Sequence, residues 1–253
     1  EIPTYPYDHE YKNATLAYRF SFLLDKIFRN NLAKHIYRII TFSDHKTIFG
    51  TPTINISNGI DFDFIKMKTK VNNNSGFLHL LGVAEVHYWH GFDRVITGLA
   101  AYYQKRNDVK VFFDVVGYGE LEKLKALVIA NHLQKYVRFH GSKSGEELDQ
   151  LFENADMGIG SLARHRSHIT YIKPLKNREY AARGIPFVYS EIDDDFENMP
   201  YVMKAPADET ALDIEKIVDF FYKERFEPME IRKTIMDKLS WKEQMGIVID
   251  TVL

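Results

Sequence analysis

Pro174, Leu175, Lys176 and Asn177 combine three features that together can hold an anion. Proline suits the first position of a helix, the next amides have no partner within the helix, and Lys176 adds a full positive charge to the positive end of the helix dipole. Three residues beyond Lys176, on the same helix face, Glu179 offers a carboxylate that can accept two hydrogen bonds from a diol. The alternatives are a plain helix with a solvated Lys176 and a Glu179 paired with Lys176 or Arg183. Directly before this helix, residues 163–170 carry Arg164, His165, Arg166 and His168, a placement suited to phosphate and sugar contacts or to a solvent-facing basic loop. Two metal readings are weaker. Asp193, Asp194 and Asp195 form an Asp-x-Asp pattern, read as a solvated acidic turn, and His165 with His168 lacks a third zinc ligand. The "GYG" at Gly117 is a poor dinucleotide fingerprint without a third glycine and a later acidic partner.

These residues need a scaffold, and the chain supplies an alternating one. The runs at 76–84, 109–117, 136–141, 157–163 and 185–190 read as short strands, and helical patterns separate them. Phe92, Val95, Ile96, Leu99 and Tyr103 recur at helical spacing, as do Leu148, Leu151, Phe152 and Ala155. This is the pattern of an α/β fold, a Rossmann-like, mostly parallel sheet with helices on both faces. Right-handed crossovers place the loops that lead into helices at the carboxyl edge of the sheet, where a ligand is expected. Earlier in the chain lie a helical region from about residue 14 to 37 and two strands, "RIITFS" and "TINISNGI". A polar stretch then suggests a division into 1–66, a linker at 67–75, a main domain at 76–225 and C-terminal helices at 226–253 that pack back toward the N-terminal part.

Several of these pieces, in this order, resemble the family 4 retaining glycosyltransferases, whose GT-B fold has two facing Rossmann-like domains. "NGIDFD" at 58–63 is similar to the family's interdomain signature, and "GYGE" at 117–120, "VRFHG" at 137–141 and "LFENADMGIGSL" at 151–162 resemble its successive donor-domain turns and strands. "PLKNREYAARGIPFV" at 174–188 resembles its donor-binding helix, and "SW" at 240–241 the start of the C-terminal helix that crosses back. The resemblance runs from about residue 38 to the end and implies an incomplete N-terminal acceptor domain.

On that resemblance the substrate is a nucleoside-diphosphate sugar, and no obligatory metal is expected. Lys176, Arg164 and His165 are the expected catalytic residues. Gly82, His90, Arg94, Gly117, Tyr171, Pro174, Leu175 and Glu179 are the expected donor-binding residues. Glu179 matches the second Glu of the family's Glu-x7-Glu motif, with Tyr171 in the first position. Ala84 and His90 stand where the family commonly has Arg and Lys after the first strand, and Arg94 and Arg164 are candidates to replace that charge. The implied activity is transfer of a sugar to a glycan or lipid-linked acceptor in surface or capsular polysaccharide biosynthesis. A nucleotide-sugar epimerase and a non-catalytic binding module are the rivals.

Composition bounds the rest. The 253 residues are 45% hydrophobic and 14% aromatic, enough for a sizeable core, and a formal charge of −2 gives no net positive field for nucleic acid. The absence of cysteine excludes disulfides and thiolate metal sites and fits a reducing, cytoplasmic setting. No apolar run reaches the ~18 residues of a membrane span. The region at 14–37 mixes Phe20, Phe22, Leu23, Leu24, Ile27 and Phe28 with Arg19, Lys26, Arg29 and Lys34, and Arg38 follows it, so peripheral contact with an anionic membrane competes with packing in the N-terminal domain. The chain begins at Glu1 without Met and is expected to be part of a longer protein.

Overall fold

The computed structural model describes residues 1–8, 15–70, 76–105, 108–224 and 226–253. The expected helix of the N-terminal part is α1 (Leu16–Ala33), which ends before Tyr37; its expected start at Ala14 lies outside the described residues. Only Ala33 of α1 is buried, while Leu16, Phe20, Leu23, Ile27 and Phe28 are exposed. After it come β1 (Ile39–Thr41), β2 (Thr47–Ile48) and β3 (Thr51–Asn55). β2 and β3 form a hairpin through Phe49 and Gly50, both in the left-handed region, the backbone that a tight two-residue turn requires. β1 joins β3 in parallel.

The larger sheet is built from β4 (Phe77–Val83), β5 (Lys110–Val116), β6 (Val137–Phe139), β7 (Met157–Ile159), β8 (Phe187–Tyr189) and β9 (Val202–Lys204). Its order is β6-β5-β4-β7-β8-β9 and every pairing is parallel. Parallel strands covered on both faces read as near-continuous apolar runs, which is why the first five were legible. β9 was not anticipated, because its three residues are only partly buried at the sheet edge and carry no apolar run.

α2 (Phe92–Lys105), α3 (Glu122–Ala130) and α6 (Ile214–Lys223) cover one face, where Leu78, Leu80, Val111, Phe113 and Val115 meet Val95, Leu99 and Ile217. α4 (Gly145–Asn154), α5 (Leu175–Arg183) and α7 (Pro228–Met236) cover the other, where Leu81, Val116, Phe187 and Tyr189 meet Phe152, Tyr180, Ile231 and Ile235. Residues 78 and 80 point one way and 81 the other, as the two-residue period of a strand dictates. α8 (Trp241–Val252) starts at Ser240, whose hydroxyl accepts from the Glu243 amide. It lies back on the N-terminal segment, with the Gln244 side chain accepting from the Ser57 amide and Val248 packed on Phe42, Ile54 and Ile56.

The chain builds outward from β4 through β5 to β6, then returns to β4's other side for β7, β8 and β9. Strand order therefore reverses between β4 and β7, and in open α/β sheets ligands bind beyond the carboxyl ends at such a reversal.

Candidate functional site

The loops that follow β4 and β7 meet beyond these carboxyl ends, where the Leu162 and Ala163 amides donate to the His90 and Trp89 carbonyls. After β7 the chain passes through Gly160, makes a 3₁₀ turn at Arg164–Ser167 and runs extended to Pro174, held by a bridge between Tyr171 and Ile192. Pro174 is not the first helical residue that its type suggested. With φ −75° and ψ 144° it is the extended residue before the helix, and Leu175 opens α5. Pro174 has no side-chain group with which to cap this first turn, and Leu175 stands exposed. The end is oriented from outside, as the Asn58 side chain donates to the Lys173 carbonyl at 2.6 Å.

Behind the amide end, Lys176 turns its side chain inward. Its Nζ is fully buried, makes no hydrogen bond and sits 5.9 Å from the centre of the Phe92 ring. Burial pulls its pKa down to about 7, with Glu191 opposing and Arg164 reinforcing the shift. Glu191, just beyond β8, is buried, with Oε1 accepting from the Arg164 amide at 3.3 Å and Oε2 unpartnered. Burial pushes its carboxyl up to about 7. The Arg164 guanidinium lies 5.0 Å from the Trp89 ring centre. His90 is buried opposite, its Nδ1 accepting from the His87 amide at 3.0 Å, and burial together with Lys176 and Arg164 holds it neutral, well below the usual imidazole range. Asn177 donates to Asp193 at 3.1 Å while its own Oδ1 is buried without a partner. Lys176, Arg164 and His90 are thus brought together, with Glu191 among them.

Other expected site residues are occupied elsewhere. Arg94 is buried and bound by protein. Its guanidinium binds the carbonyls of Thr210, Leu162 and Pro206, and so ties residues 206–210 to the helix α2. His165 contacts Glu209 through Nε2 at 2.7 Å, and Arg166 bonds both Glu209 and Asp93, so two of the four basic residues at 163–170 clamp the loop to its surroundings. Arg166 first, then His165, lowers the Glu209 carboxyl to about 2. Gly82 is a packing glycine, since a Cβ there would lie 2.7 Å from the Phe92 ring. Gly117, at φ 128°, lets the chain cross the Ala84 carbonyl, which a Cβ would approach to 1.7 Å. Tyr171 donates to Asp194 at 2.5 Å, and burial followed by that contact raises its hydroxyl pKa strongly. Glu179 accepts from Arg183 at 3.0 Å, the pairing weighed as an alternative, and Arg183 in turn bonds Asp149 at 2.8 Å.

The acidic turn is solvated only in part, since Asp194 is exposed and Asp195 half-buried while Asp193 is buried. Asp193 and Arg178 are both fully buried and form a two-armed pair at 2.7 and 2.9 Å. Arg178 also binds Asp195, which accepts from the Ser57 hydroxyl at 2.6 Å. Sequence reading missed this network, and with it Glu191, because an arginine inside a charged helical run and an acid in a polar loop are ordinarily exposed. One available signal was the run "NRE", whose helical spacing places Asn177 and Arg178 on the side facing the sheet, together with Tyr180 and Ala181.

No family model matches the sequence, and no curated protein matches it either. Solved structures do match, several glycosyltransferases among them. Sucrose-phosphate synthase from Thermosynechococcus elongatus superposes with a TM-score of 0.70 at 16% identity, over 96% of this chain and 65% of that one. A glycosyltransferase from Rickettsia africae gives 0.64 at 13% identity, over 90% and 65% of the two chains. The Anabaena protein HepE, solved with UDP and glucose, gives 0.66 at 15% identity, over 90% and 66%. This chain therefore spans about two thirds or less of their lengths. The fold is that of GT-B glycosyltransferases, α/β with an all-parallel six-stranded sheet flanked by helices.

Proposed function

We propose that this chain is the donor-binding part of a glycosyltransferase that moves a hexosyl group, with retention, from a nucleoside-diphosphate sugar to a glycan or lipid-linked acceptor, as in the building of surface or capsular polysaccharide. The observation that carries the reading is the amide end of α5, preceded by Pro174 with no capping group, at the strand-order reversal, with the buried Lys176 behind it. Diphosphate gains charge as the sugar leaves, and free amides at the positive end of a helix, fixed in place before reaction, stabilise that charge without reorganising. Leu175, Lys176 and Asn177 supply the amides and Pro174 sets their direction. The Lys176 ammonium, reaching toward Phe92 and His90, supplies the charge that Ala84 and His90 do not. That HepE was solved with UDP and glucose supports a nucleotide-sugar ligand. No step calls for a metal, and Asp193, Asp194 and Asp195 each have a protein partner.

An epimerase needs an acid and a base facing one sugar carbon. His165 contacts Glu209 and His168 closes the 3₁₀ turn in the left-handed conformation, which disfavours that reading. Among the described residues no helix is long and apolar enough to cross a membrane. A cytoplasmic setting follows from the donor chemistry, and the exposed apolar residues of α1 favour the acceptor side for any membrane contact.

The test is to titrate the full-length protein with UDP-, GDP- and ADP-sugars and assay hydrolysis and transfer. Transfer is expected; epimerised donor or binding without turnover would replace the reading by one of its rivals. Glu179→Ala should weaken donor binding by ~1–3 kcal/mol if Glu179 exchanges Arg183 for the ribose diol. Unchanged affinity removes it from the site.

A further inference from the structure

Lys176 occupies a position that simple electrostatics disfavours. It lies in the first turn of α5, at the positive end of that helix, and its ammonium is buried against an aromatic ring. The groups facing it come from three other segments: Arg164 on the 3₁₀ turn after β7, His90 in the loop after β4, and Glu191 just after β8. Arg164 repels a charged Lys176, the neutral His90 does not compensate it, and among the described residues Glu191 is the facing group whose charge favours it. Lys176 and Glu191 do not close into a hydrogen-bonded pair, and Oε2 of Glu191 is as unpartnered as Nζ of Lys176. Two opposite, buried, unclosed groups thus stand directly behind the amide end of the helix. Lone buried polar atoms are costly, so a pair of them retained at such a place awaits a third charge.

We infer that Lys176 and Glu191 act as one unit, in which the arriving diphosphate completes the ammonium of Lys176 while Glu191 sets how readily that ammonium forms, so that donor capture takes up a proton. The inference rests on the donor-binding reading above. Glu191 is then a positioning residue that touches Lys176's charge and not the sugar. Before the donor binds, Lys176 exchanges its proton near neutrality; two phosphate charges at the end of α5 raise its affinity for that proton. Each phosphate of a nucleoside-diphosphate sugar, esterified on one side and joined through the anhydride on the other, keeps a single strongly acidic oxygen that stays ionised throughout, so the proton is taken up by the protein.

The experiment is calorimetry of the full-length protein with UDP-glucose, in HEPES and in Tris, from pH 6 to 8.5. The difference in heat between buffers counts protons. Uptake near zero at pH 6, rising toward roughly one proton per donor at pH 8, is expected, and Kd should then rise with pH by up to about tenfold per unit. Lys176→Arg keeps its charge at every pH and should flatten this dependence. Glu191→Gln, nearly the same shape, should move the midpoint to lower pH, because nothing then favours the ammonium in the free protein. A merely structural role for Glu191 would change stability and leave the proton count alone. Binding with no proton uptake, a Lys176→Arg profile matching wild type, or a Glu191→Gln midpoint unmoved would overturn the inference while sparing the donor reading. If UDP-, GDP- and ADP-sugars all fail to bind, both fall.

Discussion

Replacing Arg178 by Met removes one half of a pair whose other half has nowhere to go. Asp193 is fully buried, accepts two guanidinium bonds at 2.7 and 2.9 Å, and would retain only Asn177 at 3.1 Å. Removing one partner of a buried ion pair typically costs ~3–5 kcal/mol, which for a chain of this size is a fall in Tm of roughly 6–20 °C. The same arginine donates to the Pro174 carbonyl at 3.1 Å and binds Asp195, which receives Ser57. The damage should therefore reach the first turn of α5 and weaken UDP-sugar binding as well. Thermal unfolding followed by circular dichroism gives the first quantity and calorimetry the second. The companion is Arg178→Met with Asp193→Leu: with both charges gone, most of the lost stability should return, because the desolvation of the lone carboxylate was the cost. A single variant that loses under about 1 kcal/mol, or a double variant no better than the single, would refute the reasoning.

Two further outcomes are expected. Gly59→Ala should loosen the C-terminal helix, since a Cβ at Gly59 would come within 2.5 Å of the Trp241 ring and 2.8 Å of its Cα; a loss of ~1–3 kcal/mol and faster amide exchange along α8 check this. Stability without donor carries a Glu191 contribution that should fall as pH rises from about 4.5 to 7, because folded Glu191 keeps a proton that the unfolded chain has released, while the buried, neutral His90, which the unfolded chain protonates below about 6.5, contributes the opposite slope. It should then rise from about 7 toward 10.5, because the unfolded chain keeps the Lys176 proton that the fold has shed. Glu191→Gln removes the first slope and Lys176→Met the second in denaturant titrations across that range.

The alternation of short apolar runs with helical periodicity was enough to specify five of the six parallel strands, the helices between them and the carboxyl edge at which a ligand belongs. These are local patterns of period two and 3.6, so they survive in one dimension. The first turn of α5 was legible for the same reason, to within one residue at Pro174. What the fold alone decided is who pairs with whom. Arg94, His165 and Arg166, expected at a ligand, hold residues 206–210 in the fold, and Asp193, expected in water, is buried and neutralises Arg178. Glu191 entered the site from beyond a strand that adjoins β7 in the sheet but follows it in the chain only after α5. A charged side chain looks the same in sequence whether solvent, a carbonyl or a buried counter-charge completes it, and that completion depends on distances between segments that only the folded chain sets.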